Sequence, residues 1–553
     1  MHSSHGAPEA VVYHAEKAVV SEKVVEHTIS NEVETGETSQ LKRSLKGRHM
    51  QMIAIGGSIG AGLFVGSGSA LRTGGPGSVL LGFMIIGFML LCTMQALGEL
   101  AVLYPVNGAF FTYACRSIDD SVGFAVGWQY SFGWLIVLPF ELVAASITIE
   151  FWRDDIPMAV WVAAFLVFMI VIQFFGVRGY GEVEFVLSCI KIVAVCGFII
   201  FAIVVNVGCV PTDDRGYIGA KYWHDPGAFK NGFKGFCSVF VTAAFAFGGT
   251  EMVGLAAAEA AEPHKSLPKA TRQVFWRIAF FYIVSLFMPG LILPSNNEGL
   301  LGASGANTKA SPFVLAIKEA GVKGLPSVFN AVITISVMPV ANSCAYGSTR
   351  TIQALASVGM APGLFAKIDK AGRPIACVIL QLAFGCLAFV GMAKDASGQV
   401  FGWLLALTGL SFLFVWMSIN LAHIRFRAGW AAAGYTTDQL PYVASMGVIG
   451  SWIGFVINWI AIIATFYVPL FPVGGKPDAK AFFQSYLAAP VVILFYVGWK
   501  IKTGIQTSNW QLMVKVEDLD VVTGLREGTL EGRYHDRERA NQPMWRRTFG
   551  GLF

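Results

Sequence analysis

Long apolar stretches, with little alternation of polar and apolar positions, dominate the chain. A helix that spans a bilayer needs about 20 predominantly apolar residues. The pattern contains twelve such stretches, which we predict to be transmembrane helices at 50–71, 76–103, 122–150, 157–176, 184–207, 236–258, 274–294, 326–350, 374–393, 399–424, 447–470 and 483–500. The sequence therefore predicts an all-α polytopic membrane protein with about twelve spans, whose two termini lie on one side of the membrane.

The polar segments between these stretches predict the organisation of the chain. The spans fall into two groups of five, followed by helices eleven and twelve. The predicted parts are an N-terminal tail (1–49), a first group of five helices (50–207), a loop (208–235), a second group (236–424), the last two helices (447–500) and a C-terminal tail (501–553). The N-terminal tail is polar and lacks apolar periodicity, which favours disorder. Apolar residues in the C-terminal tail suggest that it packs partly against the protein or the membrane.

Composition agrees with a membrane protein and excludes other classes. Of the 553 residues, 55% are hydrophobic and only 14% are charged, whereas soluble proteins carry about 25% charged residues. A soluble enzyme with a single core is excluded, because its surface could not cover so much apolar material. The net charge of +5 is too small and too scattered to indicate a nucleic-acid partner.

Basic residues beside the membrane indicate the orientation of the chain. The loops on the two sides of the membrane are almost equally basic, so they do not determine the orientation. The tail segments beside the membrane determine it, through the basic residues Lys42, Arg43, Lys46, Arg48, Lys500 and Lys502. By the positive-inside rule, both tails are predicted to be cytoplasmic. The polar N-terminal tail has no charged n-region followed by an apolar h-region, so we expect the first span, rather than a cleavable signal peptide, to direct insertion. The nine cysteines have no metal-ligand spacing, although Cys209 and Cys237 could pair if the loop between them is extracellular.

The first span is interrupted by glycines at the middle of the membrane. Gly56, Gly57, Gly60 and Gly62 each cost a helix interior roughly 1 kcal/mol relative to alanine. Unpaired backbone at this depth persists only where it is buried in protein or lines a cavity. The second half of the helix would then direct its free amides at a carboxylate. Close helix packing through small residues explains the same glycines equally well.

A second interruption in the sixth span favours the binding site over simple packing. It contains Gly248 and Gly249, followed by Thr250 and Glu251. Interrupted helices at corresponding places in two halves indicate an inverted-repeat transporter with its substrate at mid-membrane. Phe245 and Phe247 flank this break, where a ring can cover bound substrate or simply pack.

Four ionisable residues stand out within the predicted spans, where each is a functional candidate by default. Glu251 either exchanges a proton or braces the broken backbone, and Glu141 faces the cavity. Lys191 either carries a proton or snorkels to the interface, where Glu182 and Glu184 would be its partners. For Glu99, we predict a salt bridge with an arginine from a loop.

Several segments resemble fungal amino-acid permeases. They are Ile55–Phe64, Arg72–Pro76, Ala96–Ala101, Phe175–Glu182, Tyr217–Gly219, Tyr222–Phe229, Pro263–Ala270 and Trp403–Gly409, in unbroken order along most of the chain. The resemblance implies the superfamily of amino acid, polyamine and organocation transporters and its LeuT-type fold, an inverted repeat of five plus five helices with two further C-terminal helices. Two positions depart from the pattern of the family. Ala61 stands where many relatives have threonine, and Thr250, which follows Gly249, stands where a serine before the glutamate is common. These departures put the details of the pocket in doubt, but not the class of protein.

The resemblance also implies roles for individual residues. The substrate carboxylate would bind the amides of Gly60, Ala61 and Gly62, and the amino group would bind carbonyls of Ser58 and of Phe245, Ala246 and Phe247. The expected substrate site also includes Ile59, Glu141 and Thr408. Phe245 would be the gate, and Glu141 and Thr408 would tune side-chain preference. Lys191 and Glu251 are the candidates for proton coupling. Lys17 and Lys23 are candidates for ubiquitin-driven endocytosis.

The resemblance implies a transporter of broad specificity that imports α-amino acids across the plasma membrane by proton symport. It also implies trafficking through endosomes and the vacuole, with a ubiquitin ligase as a possible partner. The proton is the only coupling species expected, without a further cofactor or metal. Two alternatives stay open: a permease of narrow specificity for basic amino acids or proline, and an amino-acid sensor. No catalytic constellation indicates an enzyme.

Overall fold

The computed structural model describes residues 59–153, 155–174, 176–257, 263–301, 311–369, 372–392, 397–508, 510–523 and 525, in which all regular structure is helical. The main helices are α1 (Gly62–Leu103), α2 (Ala109–Ser117), α3 (Asp120–Ile149), α4 (Met158–Phe174), α5 (Gly176–Asn206), α6 (Gly232–Phe247), α7 (Met252–Ala256), α8 (Pro263–Arg277), α9 (Ser285–Ile292), α10 (Glu298–Leu301), α11 (Pro312–Glu319), α12 (Leu325–Ser357), α13 (Ile375–Gly385), α14 (Ser397–Ala432), α15 (Gly447–Leu470), α16 (Ala479–Tyr486) and α17 (Ala488–Thr507). Short π-helical or 3₁₀ segments are Trp223–Gly227, Ile278–Val284, Gly363–Ala366, Cys386–Met392, Thr437–Gln439 and Val516–Asp518.

These helices confirm the predicted polytopic membrane protein. Nine segments of the described chain are long and apolar enough to cross a bilayer, and the shorter apolar helices Met158–Gln173 and Ile375–Val390 coincide with predicted spans four and nine. Helix α1 contains the second half of span one together with span two. The two spans meet at a kink, where Gly75 has φ of 82°. The inverted-repeat relation between the two groups of five helices stays a prediction.

The kink at Gly75 is closed by the predicted loop 208–235. Its backbone approaches the kink closely, because Gly77 N donates to Ala228 O and Lys230 N donates to Gly74 O, both at 2.8 Å. The positive φ of Gly75 favours glycine at this position. Cys209 is exposed, whereas Cys237 is buried within α6, and both are free thiols in the structure.

Helices α3 and α6 lie at the centre of the molecule, and their side chains are almost entirely buried. Helix α3 packs along α12, and α6 packs along α1. By contrast, α15 and α17 turn large apolar side chains outwards, among them Ile449, Ile463, Leu494 and Ile505. Such side chains face lipid in a membrane protein. Burial therefore separates a central set of helices, which carry the site, from peripheral ones.

The described part of the C-terminal tail packs against the protein, which is one of the two surfaces suggested for it. Val514 N donates to Ile118 O at 2.8 Å, and the hydroxyl of Tyr104 donates to Val521 O at 2.6 Å. Leu519 and Val521 are buried. The tail thus joins the end of α1 to the segment before α3.

Glu99 forms the predicted salt bridge, although its partners belong to a helix rather than a loop. Arg427 Nε lies 2.5 Å from one carboxylate oxygen of Glu99, and His423 Nε2 lies 3.1 Å from the same oxygen. The other oxygen accepts from the amide of Ala444 at 2.7 Å. Helix α14 extends further than the predicted tenth span, which ended at residue 424. The carboxylate therefore connects α1, α14 and the segment before α15.

Removing this carboxylate is expected to destabilise the protein strongly. The Arg427 side chain is 8% exposed and that of Glu99 is fully buried, so Glu99→Ala leaves a buried cation without its partner, at a cost of about 3–5 kcal/mol. Thermal unfolding of the detergent-purified protein measures the effect. The control is Arg153→Ala, because Arg153 and Asp155 form an ion pair at an exposed site, where such pairs contribute little. Equal unfolding temperatures for the two variants would contradict the prediction.

Candidate substrate site

The interruptions of the first and sixth spans lie against each other. Ile59 and Gly60 are non-helical, and helix α1 begins at Gly62. Helix α6 ends at Phe247, and α7 begins only at Met252. A Cβ atom built on Gly62 would lie 2.7 Å from Cδ1 of Phe245. The two broken helices therefore meet at a contact that requires glycine on one side.

Glycines allow the sixth span to break at this point. Gly248 leaves the helical conformation with ψ of 144°, and Gly249 has φ of 93°. A backbone break in a membrane needs partners for its exposed polar groups. The Glu251 carboxylate supplies one, because it accepts from the amide of Gly249 at 3.2 Å. Its oxygens also accept from the Tyr130 hydroxyl at 3.3 Å and from Trp416 Nε1 at 3.2 Å. These contacts agree with the prediction that Glu251 braces the broken backbone. The alternative role of Glu251, proton exchange, stays a prediction.

A small buried cavity lies where the two breaks meet. Its lining residues are Gly60, Gly62, Trp134, Val137, Glu141, Phe245, Ala246, Gly248, Val340 and Phe412. The cavity thus combines the start of one helix, the end of another and walls from three central helices. Most of its surface is apolar, with a single carboxyl group.

Glu141 is that carboxyl group, as the sequence predicted. Its side chain is 1% exposed and lies beside the Ala61 amide and the Lys191 ammonium, although among the described residues neither carboxylate oxygen has a hydrogen bond of good geometry. One oxygen lies 3.4 Å from the position of a Cβ built on Gly60. Because a buried carboxylate with few good hydrogen bonds is costly, this geometry favours a ligand or proton that supplies a donor here.

Lys191 contacts the break in the first span directly. Its side chain is fully buried, and Nζ donates to the carbonyl oxygen of Ile59 at 2.6 Å. The snorkelling interpretation is therefore wrong, since the ammonium lies inside the protein rather than at the interface. The side chains of its suggested partners, Glu182 and Glu184, lie outside the described residues. The ammonium also interacts electrostatically with Glu141, so a cation and an anion flank the start of α1.

The carbonyls predicted to bind an amino group already accept hydrogen bonds within the protein. Phe245 O accepts from Gly248 N at 3.0 Å, and Phe247 O accepts from Thr250 N at 3.4 Å. Ala246 O accepts from the Tyr282 hydroxyl at 2.9 Å. Each carbonyl has a second lone pair, which leaves capacity for a ligand. The fourth predicted carbonyl, at Ser58, lies outside the described residues, as do Lys17 and Lys23.

The two phenylalanines beside the break occupy different environments. The Phe245 ring lies at the cavity wall, with its centroid 4.6 Å from that of Phe140. Phe247 packs instead against Phe83 and Tyr282, at centroid distances of 5.7 and 4.3 Å. Only Phe245 therefore has the position expected of a ring that covers a substrate.

Thr408 does not line this cavity. Its hydroxyl donates to Leu404 O within α14 at 2.7 Å, and the neighbouring Gly409 faces Phe245 across a close contact. A role in side-chain preference stays a prediction for Thr408.

The sequence analysis missed four residues that form walls of the cavity, which are Trp134, Val137, Val340 and Phe412.

A buried arginine was also missed. Arg277 is 5% exposed near the start of the seventh predicted span, and it interacts electrostatically with Glu251 and Tyr282. The signal that could have found it is a charge within an apolar stretch. Among the described residues, no group of three His, Cys, Asp or Glu side chains could hold a metal ion.

This multi-pass helical membrane protein has two broken helices that meet at a buried cavity. That architecture places it in the class of secondary transporters. Residues 49–511 match the family model described as amino acid permease. The chain therefore belongs to the amino acid permease family.

Similar proteins of fungi support this assignment over most of the chain. The General amino-acid permease GAP2 of Candida albicans is 53% identical over 494 residues, which cover 89% of this chain and 83% of that protein. The General amino-acid permease GAP1 of Saccharomyces cerevisiae is 52% identical over 497 residues, covering 89% and 81%. The Cationic amino acid transporter 1 of Schizosaccharomyces pombe is 52% identical over 498 residues, covering 89% and 83%.

Proposed function

We propose that this protein imports α-amino acids of broad specificity across the plasma membrane by proton symport. The observation that carries the proposal is the contact between the two broken helices at a buried cavity, in a member of the amino acid permease family. Backbone groups recognise the carboxylate and amino groups that all α-amino acids share. A site built from them therefore accepts many side chains.

The substrate carboxylate would bind the first-turn amides of α1, at Gly60, Ala61 and Gly62. The N-terminal amides of a helix lack intrahelical partners and attract anions. The ammonium group of the substrate would bind the second lone pairs of the α6 carbonyls, with Phe245 covering the substrate. The side chain would extend towards Trp134 and Val340, which form an apolar wall.

Proton coupling would act through the charges beside α1. Glu141 interacts with Lys191 and lies near Gly60, next to the position proposed for the substrate carboxylate. Two ionised carboxylates in one buried site repel each other, so a proton on this cluster would favour substrate binding. One proton moving inward through 100 mV supplies about 2.3 kcal/mol, which supports roughly fifty-fold accumulation.

The cellular setting follows from the same proposal. An importer of amino acids would lie in the plasma membrane with both tails cytoplasmic, consistent with the basic residues that flank the membrane. Lys17 and Lys23 would be sites for ubiquitin-driven removal to endosomes and the vacuole. An amino-acid sensor is the outcome to consider if the protein binds substrate without moving it.

A permease for basic amino acids is the second candidate. The similarity to a relative named for cationic amino acids and the Glu141 carboxylate at the cavity wall favour it, because a buried anion can bind a cationic side chain. Broad specificity remains the primary proposal, since the other walls of the cavity are apolar.

Uptake of labelled amino acids tests these functions. Cells without endogenous permeases would express the full chain, and uptake would be measured at external pH 5 and 7.5, with and without a protonophore. We expect accumulation that is faster at pH 5, collapses with protonophore and is inhibited by most of the twenty amino acids. Inhibition by lysine and arginine alone would establish the narrow permease. Binding at the cell surface without uptake would contradict transport and favour the sensor.

A further inference from the structure

A second cavity lies at the outer surface of the helix bundle, between α4, α12 and α13. Its volume is about 200 Å³. We call it the α4/α12/α13 groove, lined by Ile170, Ile172, Gln173, Asn342, Ala345, Tyr346, Thr349, Arg350, Arg373, Pro374, Ile375, Val378, Ile379 and Leu382. None of the residues proposed to bind substrate or couple protons is among them.

The groove and the central cavity lie on opposite sides of α12. Val340 lines the central cavity, whereas Asn342 lines the groove. Two residues along an α-helix are separated by about 200° of rotation. The groove is therefore a separate site rather than an extension of the substrate path.

One end of the groove is apolar and opens to the outside of the bundle. Ile379 is 62% exposed, and Val378 and Leu382 continue the same wall. Helix α13 coincides with a predicted membrane span, so these side chains face lipid. Hydrocarbon chains are the apolar groups available there.

A buried amide in the groove has no partner among the described residues. Asn342 is 1% exposed, and in this part of the chain neither its amide nitrogen nor its amide oxygen has a hydrogen-bond partner. Buried polar groups in proteins are almost always paired. The Asn342 side chain therefore favours a ligand that offers a hydrogen-bond acceptor to the amide nitrogen. The amide oxygen would accept from a donor of the ligand or from a bound water.

The other end of the groove is basic. Arg350 and Arg373 both line it. Arg373 forms an ion pair with Asp369 at 2.7 Å, and Arg350 donates to Gly372 O at 3.3 Å. Both guanidinium groups bring positive charge to this end of the groove, with the Asp369 carboxylate beside one of them. By the charge rule, this end lies on the cytoplasmic side, where anionic lipids are concentrated.

From these three features we propose that the α4/α12/α13 groove binds an anionic glycerophospholipid. The phosphate lies at the end formed by Arg350 and Arg373, because guanidinium groups match phosphate oxygens. Asn342 is eight residues deeper on α12, about 12 Å along the helix axis, and it donates to an ester carbonyl of the lipid. An acyl chain follows Val378 and Leu382 into the membrane.

Native mass spectrometry of the detergent-purified full chain tests the proposal. The protein would be titrated with phosphatidylserine and, separately, with phosphatidylcholine of the same acyl chains. We expect phosphatidylserine to bind more tightly. Asn342→Leu is expected to weaken that binding about tenfold, on the scale of one buried hydrogen-bond partner. Ile379→Trp fills the apolar end from an exposed position and is expected to weaken it similarly.

Ile463→Trp is the matched control, because Ile463 is 59% exposed on α15, away from the groove. It should bind phosphatidylserine like the parent protein, and size-exclusion profiles establish that each variant is folded. Competition by inorganic phosphate or glycerol 3-phosphate at equal concentration would identify a soluble phosphate ligand and overturn the lipid assignment. Equal binding of both lipids, or binding that neither groove variant changes, would also overturn it.

Discussion

Lys191→Met is expected to reduce amino-acid uptake roughly 10- to 150-fold, the equivalent of a buried hydrogen bond from a charged group worth about 1.5–3 kcal/mol. The ammonium donates to Ile59 O at 2.6 Å, immediately before the glycine break. Methionine has a similar length but cannot donate. The variant therefore loses the charged donor to this carbonyl, and Glu141 loses its neighbouring cation.

Two transport assays separate the roles that Lys191 could have. Concentrative uptake at pH 5 depends on proton coupling, whereas exchange of labelled for unlabelled amino acid depends only on binding and alternating access. If Lys191 carries the proton, the variant loses accumulation but retains exchange. If it only supports the break in the first span, both activities fall together.

Matched variants make this result interpretable. Lys318→Met removes an exposed ammonium on α11 and should transport like the parent protein. Lys191→Arg keeps a cationic donor and should retain more uptake than Lys191→Met. Parent-like accumulation by Lys191→Met at both external pH values would show that neither role exists.

The breaks in the helices were predictable from the sequence because they depend on residue type. Gly248 and Gly249 remove the side chains that stabilise a helix, and the structure breaks α6 there, with Gly249 at φ of 93°. The carboxylate of Glu251 in an apolar stretch also identified the break, since an acidic side chain at that depth needs donors. Its donors could not be predicted, because Tyr130 and Trp416 lie far away in the chain.

The walls of the cavity were not predictable, for a physical reason. Along a soluble helix, polar residues identify the face that points away from the core. From Phe132 to Phe140 every position of α3 is apolar, so Trp134 and Val137 cannot be recognised from the sequence as cavity walls rather than ordinary packing. The location of Lys191 was undecided for a similar reason: a long side chain near a helix end can reach either the interface or the interior. Only the three-dimensional contact with Ile59 distinguishes the two.

Gly62→Ala is expected to raise the KM for amino-acid uptake by roughly 5- to 150-fold, corresponding to an overpacking cost of about 1–3 kcal/mol. A Cβ atom at this position would lie 2.7 Å from Cδ1 of Phe245 and 3.0 Å from Cα of Ala246. The ring can rotate away, but the backbone of α6 must also move. The change therefore separates the two broken helices at the point where we place the substrate.

Two other glycines provide a graded control for this prediction. A Cβ on Gly66, one turn further along α1, would meet its nearest atom at 3.3 Å, and a Cβ on Gly197 in α5 would meet nothing within 4 Å. Gly66→Ala should therefore have a small effect on KM, and Gly197→Ala none. Because all three changes add the same methyl group to a helix, their ranking reports the space around each position rather than helix propensity. Equal KM values for Gly62→Ala and Gly197→Ala, at similar surface expression, would place the substrate away from the contact between α1 and α6.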